Sequence, residues 1–133
     1  MSINGITFKK GATGITVSDG TDTVWTDDGL DVKNGIHIVD SSSTDFITRP
    51  HGTFKNRPAQ LQPDGTWSKG KRDFNITMPI VLASGATSFP VFRGAMEFHP
   101  EMTAAQILEL RMLACQAIMD AELDAYFTYG SVK

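Results

Sequence analysis

The sequence predicts an α+β protein in which an antiparallel sheet is followed by helices at the C-terminal end. Apolar and polar residues alternate with period two at 72–78 and 89–98, and small polar turn segments separate these runs. One long apolar helix pattern begins after Thr103. Because strands come first and helices last, we expect the sheet to be antiparallel, with the helices on one face.

The composition is that of a folded protein with one domain, spanning 1–133. Its 133 residues are 41% hydrophobic and 20% charged. No apolar run approaches the roughly 18–20 residues of a membrane-spanning helix, and no secretory signal opens the chain. The single Cys115 lies in an apolar helix pattern, where a buried, inert thiol is expected. These features favour a cytosolic product with no membrane partner.

The first part of the chain predicts a hairpin and one further strand. Ile3–Lys10 and Gly14–Ser18 are short β-like runs joined by turn residues, so residues 1–20 are predicted to form an N-terminal hairpin. Residues 19–34 predict a loop or a short strand. Asn34-Gly35 is a turn pair, and Ile36–Val39 after it predicts the next strand. The main sheet is therefore expected within 34–99.

A long hairpin is predicted in the middle of the chain. The turn at 63–66 should fold residues 52–62 back onto residues 67–81, and Pro58 should interrupt the first of these strands. Centring the hairpin on this turn places seven polar side chains on one face: Thr53, Lys55, Arg57, Lys71, Asp73, Asn75 and Thr77.

The last predicted strand, 89–98, follows a small polar loop at Ala83–Ser88. Phe92, Met96 and Phe98 should share its apolar face, and Arg93 should lie on the polar one.

The helical region, 103–129, begins with a capping box, because Thr103 is followed three residues later by Gln106. The helix has two adjacent apolar stripes, whereas a surface helix usually has one. The chain offers no other long helix to bury it, so a partner subunit is favoured over burial within its own domain. The predicted dimer-interface residues are Ile107, Leu108, Leu110, Met112, Cys115 and Met119. A short second helix is predicted over 121–127.

The sequence contains no pattern typical of catalysis, a cofactor or a metal. His37, His51 and His99 have no His or Cys at ligand spacing, and no Gly-rich phosphate loop is present. The acidic run 27–31 lacks the regular spacing and closing Glu of a calcium loop, so a solvated acidic loop is favoured. We expect no enzyme activity, no cofactor and no metal.

Charge is distributed unevenly along the chain. The net charge is −3, yet residues 46–72 contain six Lys or Arg and one Asp. Together with Arg93, the seven-residue polar face mixes cations with hydroxyls and an amide, which can contact phosphates and unstacked bases. The alternative is an ordinary solvated sheet face.

Three segments resemble one protein family. Lys71–Pro79 is similar to a basic turn followed by an alternating strand, Arg93–Pro100 to a last strand with a Met-Glu-apolar step, and Glu101–Gln106 to the start of a long helix. In these segments, and in the order of elements, the chain resembles the coat proteins of the small single-stranded RNA bacteriophages, the leviviruses.

The resemblance implies an N-terminal hairpin, a five-stranded antiparallel sheet and two C-terminal helices that cross over the partner subunit in an obligate homodimer. It implies that dimers assemble into an icosahedral shell around single-stranded RNA, and that a genomic hairpin bound to the inner sheet face represses translation. The implied RNA-binding residues are Lys55, Arg57, Asn75, Thr77 and Arg93. Thr53 and Lys71, which share the polar face, complete the predicted RNA-binding set.

Two features bear on how the RNA and the shell are held. Arg93 stands where an aromatic residue often stacks on a base, so either its guanidinium replaces that stacking or no specific hairpin is recognised. The implied inter-dimer loop contains Ser84, Gly85, Ala86 and Thr87 and has no Cys, which predicts a shell without disulfides.

The predicted function is therefore a capsid protein, located in the virion and assembled in the cytoplasm of a bacterial host. The alternatives are a small dimeric α+β ligand-binding module and another virion accessory protein. A binding module would need polar groups converging in a pocket. The apolar sheet face contains none, and no small-molecule substrate is expected.

Overall fold

The structure, a computed structural model, describes residues 5–132, which divide into two compact units. Residues 20–100 form the first unit, and residues 5–19 with 101–132 form the second. The first contains seven strands: β1 (Trp25–Asp27), β2 (Gly35–Asp40), β3 (His51–Arg57), β4 (Gly70–Thr77), β5 (Ile80–Val81), β6 (Thr87–Ser88) and β7 (Val91–Phe98).

Five of these strands form one sheet in the order β1-β2-β3-β4-β7, and every neighbouring pair is antiparallel. The prediction that these polar residues share one face of the hairpin is confirmed, because Thr53 pairs with Asn75, Lys55 with Asp73 and Arg57 with Lys71. Pro58 follows the last residue of β3. Beyond it, only an isolated bridge between Leu61 and Trp67 continues the ladder toward the turn.

The sheet has one apolar face, as the alternation predicts. Phe54 pairs with Phe74, and their rings stack at 6.0 Å; the ring of Phe92 stacks on Phe74 at 6.5 Å. Gly94 pairs with Phe74, and a Cβ at Gly94 would lie 2.6 Å from that ring. The glycine therefore leaves room for Phe74 to lie flat across β7.

The small loop predicted at 83–88 is a tight hairpin, with β5 and β6 as its two strands. The amide N–H of Leu82 donates to the carbonyl of Ala86, and Gly85 supplies a positive φ of 87°. Several large apolar side chains near this hairpin are exposed: Met78, Val81, Leu82 and Phe89.

The second unit contains α1 (Ala104–Met119), a short 3₁₀ helix (Ala121–Leu123) and α2 (Asp124–Tyr129). The predicted capping box is confirmed: the Gln106 N–H donates to Thr103 Oγ1 at 3.2 Å, and the Thr103 N–H donates to Gln106 Oε1 at 2.9 Å. Gly130 ends α2 in the left-handed region, with φ of 72°. No helix within 5–132 has the length and apolar character needed to cross a membrane.

The N-terminal hairpin prediction is wrong for the described residues. The chain turns at Lys10-Gly11, but residues 5–19 contain no strand, and Met1–Asn4 lie outside the described range. Instead, the side chain of Gln116 on α1 pairs with the backbone of Lys9, accepting from its N–H at 2.6 Å and donating to its carbonyl at 2.9 Å. A side-chain amide thus takes the backbone groups that a hairpin partner would have used.

The buried core is small for a chain of this length. Among the described residues, the buried hydrophobic side chains are Val39, Met112 and Leu123, and no large side chain is completely buried. Cys115 is exposed, so the expectation of a buried thiol is wrong for the single chain. Large apolar surfaces therefore remain uncovered on both units.

Candidate nucleic-acid interface

The polar sheet face consists of rows of side chains that run across the strands. Because directly paired residues lie on the same face, the ladder places His37, Thr53, Asn75 and Arg93 in one row across β2, β3, β4 and β7. Neighbouring strands lie about 4.8 Å apart, so a row of four spans roughly 15 Å.

A basic groove lies beside these rows, near the ends of β2, β3 and β4. Asn34 adopts a positive φ of 59° in the turn that precedes β2. The residues that line the groove are Lys33, Asn34, Lys55, Asn56, Arg57, Lys71 and Asp73. Four cations and two amides against one carboxylate give the groove a strong preference for anions, and Lys33 and both amides were not predicted from the sequence.

Two carboxylates reduce the positive charge of this face only partly. Lys71 Nζ lies 3.9 Å from Asp73 Oδ2, and Lys69 Nζ lies 3.9 Å from Glu97 Oε2, at the long end of ion-pair distances. Such exposed pairs contribute little stability, about 0–1 kcal/mol. Within residues 5–132, no carboxylate forms an ion pair with the remaining cations of the face: Lys55, Arg57 and Arg93.

The seven residues predicted to bind RNA lie on one face but differ in exposure. The ladder places all of them on the polar face, since Asn75 pairs with Arg93 and Thr77 pairs with His51. Lys55, Arg57 and Arg93 are exposed; Thr53, Lys71 and Asn75 are half-buried; Thr77 is only 6% exposed. The hydroxyl of Thr77 is therefore covered in the single chain, and the other six can reach a ligand.

Asp28, His37 and His51 form a hydrogen-bonded chain on this face, which was not predicted from the sequence. His37 Nδ1 lies 2.8 Å from Asp28 Oδ2, and His37 Nε2 lies 3.3 Å from His51 Nδ1. The hydrogen bond from His37 lowers the pKa of Asp28. Burial is the main cause that lowers the pKa of His51, and the nearby charges of His37 and Arg49 lower it further. The two histidines are 14 residues apart, and only the β2–β3 ladder brings them together.

The predicted dimer-interface residues on α1 also differ in exposure. Met112 is buried within the chain, and Ile107 and Leu108 are half-buried. The remaining three are exposed: Leu110, Cys115 and Met119, the last at 75%.

Comparison with known proteins gives a match over almost the whole chain. A subunit of the virus-like particle of bacteriophage GQ-907 is 36% identical; the match covers 99% of this chain and 100% of that one, with a TM-score of 0.91. The chain belongs to the coat proteins of the levi-like bacteriophages. No known family profile and no curated protein sequence matches it.

Two further solved structures have the same fold as this coat protein. The virus-like particle of bacteriophage AVE019 gives a TM-score of 0.66 at 14% identity, covering 82% of this chain and 86% of that one. The virus-like particle of Beihai levi-like virus 21 gives 0.58 at 12% identity, covering 88% and 93%. The five-stranded sheet followed by two C-terminal helices, which the sequence predicts, is thus the fold of a coat protein with a structural role in the virion.

Proposed function

We propose that this coat protein is an obligate homodimer whose dimers assemble into a closed icosahedral shell around single-stranded RNA, in the cytoplasm of a bacterial host. The observation that carries the proposal is a single sheet with one cation-rich face and one uncovered aromatic face. The cation-rich face suits the phosphates of a genome, and the aromatic face suits burial against another protein subunit. The mechanism is association, with no catalytic step.

The uncovered apolar surface supports an obligate dimer. Phe54 and Phe92 remain 42% and 41% exposed, although each aromatic side chain offers about 150–250 Å² for burial. A chain of this length usually buries roughly two-thirds of its unfolded surface, but its buried hydrophobic residues within 5–132 number three. Obligate interfaces bury over about 2,000 Å², which would supply the missing burial.

The position of β7 supports a particular mode of dimerisation. This eight-residue strand pairs with β4 on one side and lies at the end of the five-stranded sheet. An exposed edge of this length presents unpaired backbone groups, which a second strand can satisfy. We infer that two copies of β7 pair edge to edge, and that the exposed residues of α1 then pack against the partner subunit.

Contacts between dimers are assigned to the β5–β6 hairpin. Its turn contains Ser84, Gly85 and Ala86, and Thr87 begins β6. The exposed side chains of Val81, Leu82 and Phe89 lie beside this turn. Apolar side chains at an exposed hairpin can be buried where several dimers meet.

The polar face supports packaging through neutralisation of phosphate. Lys33, Lys55, Arg57 and Lys71 converge on the basic groove, and Arg93 adds an exposed cation on β7. Such contacts release counterions, so RNA affinity should fall steeply as salt rises.

A second role, repression of translation by binding a genomic hairpin, is supported by the uncharged groups in the central row. Thr53 and Asn75 can form hydrogen bonds with base edges, which adds sequence-dependent contacts to those made with phosphates. A labelled genomic hairpin should then bind more tightly than a hairpin of the same length with its loop shuffled. Equal affinity for both would limit the protein to packaging.

The proposal is tested by electron microscopy of the protein purified from a cell lysate, with absorbance at 260 and 280 nm on the same fraction. Closed, uniform, round particles rich in nucleic acid are expected. A nucleic-acid-free dimer that forms no particles when RNA is added would contradict the proposal. A bound small molecule in such a dimer would favour a ligand-binding module, and a ring or tube would favour a virion accessory protein.

A further inference from the structure

The chain of Asp28, His37 and His51 connects three segments of the polar face. Asp28 lies in the loop between β1 and β2, His37 on β2 and His51 on β3. His37 pairs in register with Thr53, so His51 is its diagonal neighbour, and the two rings lie 5.2 Å apart at 45°. Both rings belong to the face that we assign to RNA, and neither is among the RNA-binding residues named above.

The geometry limits how many protons the pair can hold. A hydrogen bond between two imidazoles needs one N–H and one lone pair. With Asp28 accepting from His37 Nδ1, the contact between His37 Nε2 and His51 Nδ1 can form when both rings are neutral or when one is protonated. Protonation of both rings would place two N–H groups opposite each other across 3.3 Å and break the contact.

His37 and His51 have different charged and polar neighbours. Asp28 Oδ2 lies 2.8 Å from Nδ1 of His37, whereas its charge opposes only weakly the effects that lower the pKa of His51. His37 and Arg49 repel a charge on His51, and the β4 residues opposite this part of β3 are the uncharged Asn75 and Thr77. Burial lowers the pKa of His51 below its ordinary value of 6.5, so the second proton binds under acidic conditions.

We propose that the His37–His51 pair is a proton-dependent phosphate-binding element of the polar face. In acid, the second proton separates the two rings: His37 stays bound to Asp28, and the imidazolium of His51 turns toward an RNA phosphate. The inference depends on the proposed RNA-binding role of this face. Its consequence is that the shell holds its RNA more tightly at acidic pH.

The experiment measures binding of an oligouridine labelled with a rhodamine dye that does not titrate in this range to the full-length protein at pH 7.5 and 5.5, over a series of salt concentrations. Oligouridine is used because its bases take up no proton in this range. For the wild type, the slope of log K against log salt should steepen by about 0.7 between pH 7.5 and 5.5, the value for one added phosphate contact. Each variant is compared with itself at the two pH values.

In His51→Gln the slope of log K against log salt should be the same at both pH values. The matched control is His99→Gln, a change at the end of β7, and its slope should steepen at pH 5.5 as in the wild type. Equal steepening in His51→Gln and the wild type would overturn the proposal. His51→Asn, which also removes the titrating ring, replaces His51→Gln if that variant fails to fold.

Histidine NMR of the RNA-free protein distinguishes failure of the inference about the histidine pair from failure of the proposed RNA-binding function. Titration of His51 at acidic pH, with loss of its coupling to His37, is expected whether or not RNA binds. Absence of RNA binding at any pH, with this titration intact, would contradict the proposed function. Independent titration of the two rings would overturn the inference itself.

Discussion

Gln116 holds the backbone of Lys9 through both ends of its side-chain amide. Its Oε1 accepts from the Lys9 N–H at 2.6 Å, and its Nε2 donates to the Lys9 carbonyl at 2.9 Å and to the carbonyl of Met112 at 3.2 Å. The contact joins residues 107 positions apart and ties the N-terminal segment to α1.

Gln116→Ala should release this segment. Each hydrogen bond contributes about 0.5–1.5 kcal/mol, and because Lys9 is exposed we expect a loss near the lower end, about 1 kcal/mol in total. Hydrogen exchange at the Lys9 amide should accelerate. The control is Gln62→Ala in the β3–β4 connection, which should leave that amide unchanged; unchanged protection in Gln116→Ala would show that the clamp is not formed.

Thr103→Ala should destabilise α1 by removing the side-chain acceptor of its capping box. Loss of such a cap costs about 1 kcal/mol. The measurement is urea denaturation at fixed protein concentration, because the stability of a dimer depends on concentration. Thr21→Ala, an exposed threonine before β1, is the control, and an equal effect from both would refute the capping role.

The double variant Lys55→Ala/Arg57→Ala should package less RNA while remaining dimeric. Removing two phosphate contacts should reduce the slope of log K against log salt by about 1.4, at about 0.7 per contact. Lys9→Ala/Lys10→Ala removes the same charge from exposed positions outside the sheet and should package normally. Loss of the dimer in Lys55→Ala/Arg57→Ala would show that the protein-binding and RNA-binding faces have been assigned the wrong way round.

Leu110→Asp should weaken the dimer. Leu110 is exposed on α1 in the single chain, and a carboxylate there would have to be buried without a partner. Light scattering after size-exclusion chromatography should show monomer or aggregate at concentrations where the wild type is dimeric. Leu61→Asp makes the same change at an exposed leucine in the β3–β4 connection and should leave the dimer intact. An intact dimer in Leu110→Asp would remove α1 from the interface.

Folding stability should decline as pH falls below the ordinary histidine value of 6.5, and His51 should account for part of the decline. The folded-state pKa of His51 is lowered, so the unfolded chain binds a proton first. The stabilisation from this group is present above pH 6.5 and is lost as pH falls through the folded-state pKa. Urea midpoints from pH 8 to 5 should decline less steeply in His51→Gln than in wild type or His99→Gln; identical slopes would exclude His51 as the source.

The elements that the sequence predicts well are those determined by neighbouring residues. The alternation at 72–78 predicts β4, the Pro63–Thr66 turn sets the β3–β4 register, and Thr103 with Gln106 predicts the start of α1. Each depends on contacts within a few residues or on symmetric pairing about one turn. The polar face could be predicted for the same reason, because side-chain period and turn position together determine which residues share it.

The N-terminal segment was predicted wrongly, and at Lys9 the backbone N–H and carbonyl bond to a side chain 107 positions away rather than to a neighbouring strand. Local composition at 3–18 is compatible with a hairpin, and nothing there encodes the side chain of Gln116. The predicted burial of Cys115 is wrong for a related reason. An apolar helix pattern predicts burial, but the surface that covers such a residue can belong to another molecule.

Local pattern alone predicted an antiparallel sheet with one cationic and one apolar face, followed by a long helix that begins with a capping box. Only the tertiary structure decided that Asp28, His37 and His51 meet, that Lys33 and Asn34 join Lys55 and Arg57 in one groove, and that Thr77 is covered. The physical reason is the separation along the chain of the residues that interact. Periodicity and turn chemistry act between neighbours in sequence, whereas hydrogen bonds and charge clusters form between side chains that only a complete ladder brings within a few ångströms.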